Sequence, residues 1–211
     1  FLGGGTPTYL DESRLRRLFA ITGRRLNLRG CDEVTMEANP ESVTAEKATL
    51  AIEAGVNRVS IGAQSFHPDH LKFLDRAHSA DDTARAFETF REAGFKNLSL
   101  DLMFSIPGQT AAQWESDLRR ALSFDPDHLS CYNLTYEPGT RLTRDLKQGR
   151  VTKNTDEIDR EMFELTRQIL VEAGFDAYET SNFAGRGGKS LHNDHYWLQG
   201  DYVGVGPGAS D

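Results

Sequence analysis

Three stretches of the chain finish alike: an amphipathic helical pattern, then Glu-Ala-Gly, then a strand-like run. Residues 48–55 lead into "VNRVSIGAQS", residues 84–94 into "FKNLSLDLMF" and residues 161–174 into "FDAYETSNFA". A glycine just past a helix supplies the left-handed backbone that stops it. Gly55 and Gly94 lie about forty residues apart, with Gly174 about twice as far again, which is the spacing of βα units. The segment "TAAQWESDLRRALSFDPDHLSCYNL" supplies the unit between them, a helix, an Asp-Pro-Asp turn and a strand. Strands are therefore expected at 33–37, 58–61, 98–103, 128–134, 177–183 and 202–205. Alternation of this kind implies an α/β fold with a parallel sheet, either open or closed as a barrel. No Pro/Gly/Ser-rich linker divides residues 1–211, so one domain is expected.

Composition narrows the class of function. The chain has 211 residues, 38% of them hydrophobic, enough for a single core. Its net charge of −8 argues against nucleic acid or an anionic membrane as the main partner. No run is apolar enough to span a bilayer, which leaves room for peripheral membrane contact and for a homodimer. Cys31 and Cys131 are the two cysteines, too few for a disulfide framework, so a cytoplasmic location and two small buried thiols are expected.

In parallel α/β folds, ligands collect at the carboxyl ends of the strands, and here those ends are polar. "VTMEANP" carries Glu37 and Asn39, "VSIGAQSF" Gln64, "LSLDLMF" Asp101, and "HLSCYNL" is followed by Thr135; Arg76 lies on the connection after Gln64. Charges that interrupt apolar runs are costly unless something pairs with them. Glu37 and Asp101 suit hydroxyls and an ammonium, while Gln64 and Arg76 suit a carboxylate. Gly3, Gly4 and Gly5 would let the backbone approach the same ligand closely. The mixture fits an amino-acid nucleoside better than a simple phosphate. The glycine-rich stretch 204–208 lacks the lysine and spacing of a phosphate loop. "HNDH" reads as an ordinary polar turn, and no Ser/His/Asp set stands out.

The motifs "GGGTP", "EANPE", "VSIGAQSF", "LDRAHS" and "DLMFSIPGQT", in this order and spacing, resemble the radical S-adenosylmethionine family related to oxygen-independent coproporphyrinogen III oxidase. The resemblance runs over residues 1–211. It implies a partial (β/α)6 barrel holding a [4Fe–4S] cluster and S-adenosylmethionine at its strand ends. By the same resemblance Gly3, Gly4, Gly5 and Thr6 would contact the methionyl part of that cofactor, and Glu37, Gln64, Arg76, Asp101 and Thr135 the rest. The segment from "YETSNFA" onward is similar to the haem-chaperone branch, in which haem is bound and passed to respiratory haem proteins. That likeness places haem near His192, Asn193, Tyr196 and Trp197; the other reading of Tyr196 and Trp197 is core packing before a last strand. The oxidase branch would instead imply coproporphyrinogen dehydrogenation in porphyrin biosynthesis, and a third reading is a cluster-free α/β barrel that binds a ligand. No catalytic residue is assigned.

One departure from the family is large. The cluster motif C-x3-C-x2-C should precede the glycine turn and is absent, so no metal ligands are expected in this chain and the cluster would belong to a longer parent. The expectation is a central fragment of such a protein, lacking the first strand and the C-terminal region.

Overall fold

A computed structural model describes residues 1–186, 188–206 and 209. Six strands form one sheet: β1 (Thr35–Ala38), β2 (Arg58–Gln64), β3 (Leu98–Phe104), β4 (His128–Asn133), β5 (Asp176–Ala177) and β6 (Asn182–Ala184), in the order β1-β2-β3-β4-β6-β5. The first four run parallel. Leu2 extends the parallel set beyond β1 through a bridge to Met36, its N–H donating to Thr35 O at 2.8 Å and its carbonyl accepting from Glu37 N at 3.0 Å.

The helices begin and end where side chains dictate. In α2 (Ala45–Ala54) Thr44 accepts from Lys47 N; α4 (Ala80–Glu92) and α5 (Ala111–Leu122) open with the reciprocal capping pairs Ser79/Asp82 and Thr110/Gln113; Thr155 caps α7 (Asp156–Glu172). Gly55, Gly94 and Gly174 have φ of 102°, 100° and 88°, the left-handed stops anticipated from the repeat.

Strict alternation along the strands separates two faces. Met36, Ile61, Leu100 and Leu129 point to the helical side, where they meet Leu15 of α1 (Glu12–Gly23), Phe90 of α4, Trp114 of α5 and Leu170 of α7 in one apolar core. Trp114 is fully buried and donates Nε1–H to Thr166 at 2.8 Å, tying α5 to α7; truncating it would cost about 3–5 kcal/mol. The opposite face, carrying Arg58, Ser60, Gln64, Ser99, Asp101, His128 and Ser130, is polar and lines the concave interior.

Several expectations are corrected. The sheet is mixed, because β6 runs antiparallel to both β4 and β5. The strand expected at 177–183 is two short ones. Glu179 accepts from Ser181 N at 2.9 Å and from the Asn182 amide, which draws the intervening residues into a bend. Residues 202–205 form no strand; Val203 and Val205 are exposed with no ladder alongside. Cys31 is exposed, whereas Cys131 is buried as expected, and burial pushes its thiol pKa up. "HNDH" is not a turn but lies in a short helix, α8 (Leu191–Trp197). Of the glycine-rich stretch 204–208, residues 207 and 208 lie outside the described residues.

Candidate functional site

The opening glycines sit beside Glu37. A Cβ on Gly3 would stand 2.4 Å from the Phe1 ring and 2.7 Å from the Glu37 carboxyl carbon, so a side chain there must displace one of them, while Gly4 (φ 75°) and Gly5 have open space where their side chains would be. Burial, and then nearby Asp101, raise the Glu37 carboxyl above its ordinary value of 4.5, against the lowering influence of the Gly4 backbone N–H. Thr6 is half-buried and precedes the turn Pro7–Tyr9. Within that turn Thr8 is buried, its hydroxyl accepts from Asn39 N at 3.2 Å, and its carbonyl accepts from Lys47 Nζ at 2.7 Å. The glycine turn and the end of β1 are thereby locked together.

Asp101 lies on β3 between serines of three strands. Ser60 of β2 donates to each carboxylate oxygen at 2.9 Å, Ser99 of β3 stands 3.5 Å away, and Ser130 of β4 lies near enough to favour the charged form. Burial raises its pKa above 3.8, and Ser130, Ser60, Arg58 and Ser99 oppose the rise. Glu37 and Asp101 are thus two carboxyls on one concave face, close enough to raise the cost of ionising both.

Gln64 ends β2 in a left-handed conformation, φ 62°, at a register shift between β2 and β3. That backbone is uncommon outside glycine, and two polar clusters hold it. His78, from "LDRAHS", donates Nε2–H to Ala63 O at 3.0 Å and sets Nδ1 3.3 Å from Glu41, whose other oxygen accepts from Tyr9. On the other side Asp117 of α5 accepts from Ser65 Oγ and Phe66 N, both at 2.8 Å, and His70 Nδ1 stands 3.3 Å from Ser65 Oγ. Ser65 and Asp117 are fully buried, so this Ser/His/Asp set, which sequence reading passed over, braces the chain rather than attacking a substrate. The Gln64 amide lies over Gly62, with Asn39 beside it; a Cβ on Gly62 would be 3.0 Å from Gln64 Nε2 and 3.3 Å from Asn39 Oδ1.

Arg76 follows α3 (Pro68–Phe73), half-buried, with no ion-pair partner among the described residues. Thr135 is exposed just beyond β4, and no side-chain hydrogen bond joins it to the others. Glu37, Asp101, the glycines and Gln64 therefore gather at one end of the parallel strands, with Arg76 on an adjoining loop and Thr135 at the rim.

A second cluster surrounds α8. His192, Asn193, Tyr196 and Trp197 line one cleft of about 370 Å³ together with Tyr132, Glu179, Ser181 and Asn182. The His192 ring stacks on Phe1 with centroids 4.2 Å apart, and Asn193 Nδ2 donates to Asn182 at 3.2 Å. Glu33 accepts from Leu191 N at 2.7 Å and His192 N at 3.2 Å. Helix α8 thus spans from the Phe1–Leu2 edge of the sheet to β6. Tyr196 and Trp197 are 54% and 63% exposed, which corrects the core-packing reading. Burial lowers the His192 pKa below 6.5, favouring the neutral imidazole that can ligate a metal. Burial, then Asp101, push the Tyr132 hydroxyl up to about 12.

Sequence reasoning missed Glu33, Tyr132 and Glu179, and also Ser60, Ser99 and Ser130; the every-second-residue polar pattern in "RVSIGAQ" and "LSLDLMF" was the signal available. Among the described residues no group of three His, Cys, Asp or Glu could hold a metal ion. The described residues thus offer no ligand set for a [4Fe–4S] cluster. An amino-acid nucleoside does fit: the glycine backbone is open, two carboxyls face inward, and a guanidinium lacks a partner.

Residues 1–121 match the family model of the Radical SAM superfamily, and the chain belongs to that superfamily, whose cofactors are S-adenosylmethionine and a [4Fe–4S] cluster. Within it the chain is 42% identical over 210 residues to the heme chaperone HemW of Bacillus subtilis (strain 168), covering 99% of this chain and 55% of that protein. It is 40% identical to heme chaperone HemW of Escherichia coli (strain K12), with 99% and 54% covered. Against the mitochondrial radical S-adenosyl methionine domain-containing protein 1 of Mus musculus it is 39% identical, with 99% and 47% covered. The chain thus spans about half the length of the curated relatives it matches. Coproporphyrinogen III oxidase (HemN) from Escherichia coli shares the fold, with a TM-score of 0.76 and 23% identity over 88% of this chain and 42% of that one. The α/β fold and the partial barrel expected from the sequence stand. No described helix is long and apolar enough to cross a membrane.

Proposed function

We propose that this chain is the S-adenosylmethionine-binding barrel of a cytoplasmic haem chaperone that delivers haem to respiratory haem proteins. The observation that carries the reading is the α8 cleft, which brings His192, Asn193, Tyr196 and Trp197 together beside Tyr132. A neutral imidazole ligates haem iron, and exposed Tyr and Trp rings cover a porphyrin face. The names of relatives about 40% identical, heme chaperones, support the same conclusion.

Each group at the strand ends has a task. The backbone of Gly3, Gly4, Gly5 and Thr6 forms the edge against the methionyl group, with Glu37 taking its ammonium. Gln64 and Arg76 take its carboxylate, Asp101 accepts from a hydroxyl, and Thr135 closes the rim. When bound beside a cluster, S-adenosylmethionine supplies reductive cleavage chemistry. This chain has no cysteine set for that cluster, so its own residues bind and orient the nucleoside and exclude water from it. A homodimer and peripheral membrane contact suit a protein that must hand haem to membrane-associated acceptors.

A haem titration followed by visible absorption, beside a His192→Ala variant, tests the proposal. A saturable Soret shift that weakens in the variant is expected. A folded protein that shows no shift, or that converts coproporphyrinogen, would overturn it.

A further inference from the structure

Arg58 opens β2 on the concave face of the sheet and is only 2% exposed. Its guanidinium makes no hydrogen bond and no ion pair among the described residues, and its Nε is buried without a partner. Its charge is felt by Asp101, His128, Tyr178 and His192, all beyond bonding distance. Asp101 is already held by serines, and His128 is bonded at both nitrogens, to Ser99 and Tyr178 at 2.9 Å each. A guanidinium taken out of water without a bonded anion is costly, and its planar fork matches a carboxylate in two parallel bonds.

Helix α8, near enough for the Arg58 charge to act on His192, is lightly fastened. Helix α8 buries none of its own residues. Polar ties hold it: Glu33 at its first two N–H groups, Ser190 N–H donating to the Tyr178 hydroxyl oxygen at 3.2 Å, and Asn193 Nδ2 donating to Asn182. The Phe1–His192 stack adds one ring contact. Water can replace each polar tie, so α8 belongs to the part of the fold that opens at low cost.

We propose that Arg58 is a carboxylate-binding residue of the barrel interior and takes a propionate of the haem when α8 lifts. This rests on the haem reading above and adds what that reading lacks, a counter-ion for the propionate. His192 then approaches the iron from the displaced helix while Arg58 fixes one edge of the macrocycle.

The test compares haem with haem dimethyl ester, whose propionates carry no charge, on the wild-type protein and on Arg58→Gln and Arg58→Lys. Wild type is expected to bind haem about tenfold more tightly than the ester, the worth of one charge-assisted contact. Arg58→Gln, shown folded by near-ultraviolet circular dichroism, loses that discrimination, and Arg58→Lys keeps part of it. The wild-type comparison needs no variant, so a folding defect does not hide the answer. Equal binding of haem and ester by wild type overturns the inference and leaves the haem reading standing. Absence of haem binding by wild type removes both. A loss of S-adenosylmethionine affinity in Arg58→Gln, with haem binding intact, would assign Arg58 to the other carboxylate and overturn the inference as well.

Discussion

Ser65 donates its hydroxyl to Asp117 Oδ2 at 2.8 Å, one residue beyond the left-handed Gln64. The bond joins the end of β2 to α5 and fixes the direction in which the Gln64 amide points. The uncommon backbone conformation of Gln64 is thus kept by buried neighbours from another element.

Asp117→Ala leaves Phe66 N–H and Ser65 Oγ without their acceptor and is expected to cost about 2–3 kcal/mol. Asp117→Asn should cost much less, because the Ser65 hydroxyl can accept from the new amide and donate to His70 Nδ1. Urea denaturation midpoints of the two variants measure the difference. Equal losses would mean that carboxylate charge, not bond count, holds the turn.

Glu37 carries a pH signature. Its folded pKa lies above 4.5, so the folded protein holds this proton more tightly than the unfolded chain does. The resulting stabilisation is fully present below about pH 4.5 and is lost as pH rises through the folded pKa. Glu37→Gln removes that loss, so its melting temperature relative to wild type should rise between pH 4 and pH 7. A flat difference across that window contradicts the assignment.

His128 works in the opposite direction. Burial, then Arg58, hold its pKa well below 6.5, so the unfolded chain takes up the proton first. Stability is present above pH 6.5 and is lost as pH falls below it, by up to about 1.4 kcal/mol per pH unit for one proton. His128→Gln should reduce that slope by one proton's worth, measured as unfolding free energy from pH 7 to pH 5. An unchanged slope would mean that His128 charges in the folded state.

Gly3 and Gly5 separate fold from ligand. Gly3→Ala drives a methyl into Glu37 and should lower both the melting temperature and S-adenosylmethionine affinity. Gly5→Ala meets no protein atom, so its melting temperature should stay at the wild-type value, while the proposed placing of the ligand in that open space predicts that affinity falls. Calorimetric titration with parallel thermal melts reads both. Equal affinity in Gly5→Ala would remove the glycine turn from the site.

Much of this was legible in the chain because local chemistry decided it. The Glu-Ala-Gly stops announced Gly55, Gly94 and Gly174, and the strand-like runs that follow them at βα spacing announced the parallel strands. Glu37, Asp101 and Gln64 stood out as polar groups in apolar runs. The remainder depended on partners distant in sequence. The bend around Glu179 arises from bonds to Ser181 and Asn182 that no propensity encodes. Residues 202–205 have strand-forming side chains but no ladder to join. The burial of Arg58 without a partner is visible only once the sheet is formed, and Asp117 is an ordinary helix aspartate until α5 brings it under Ser65.

The serines around Asp101 have a consequence for how the interior responds to change. A hydroxyl can reverse its role from donor to acceptor by rotating one bond, so Ser60, Ser99 and Ser130 can accommodate a carboxylate, a carboxylic acid or an arriving sugar hydroxyl without moving a strand. Asp101 therefore sits among bearings rather than clamps: protons and ligands can come and go while the backbone around them stays still.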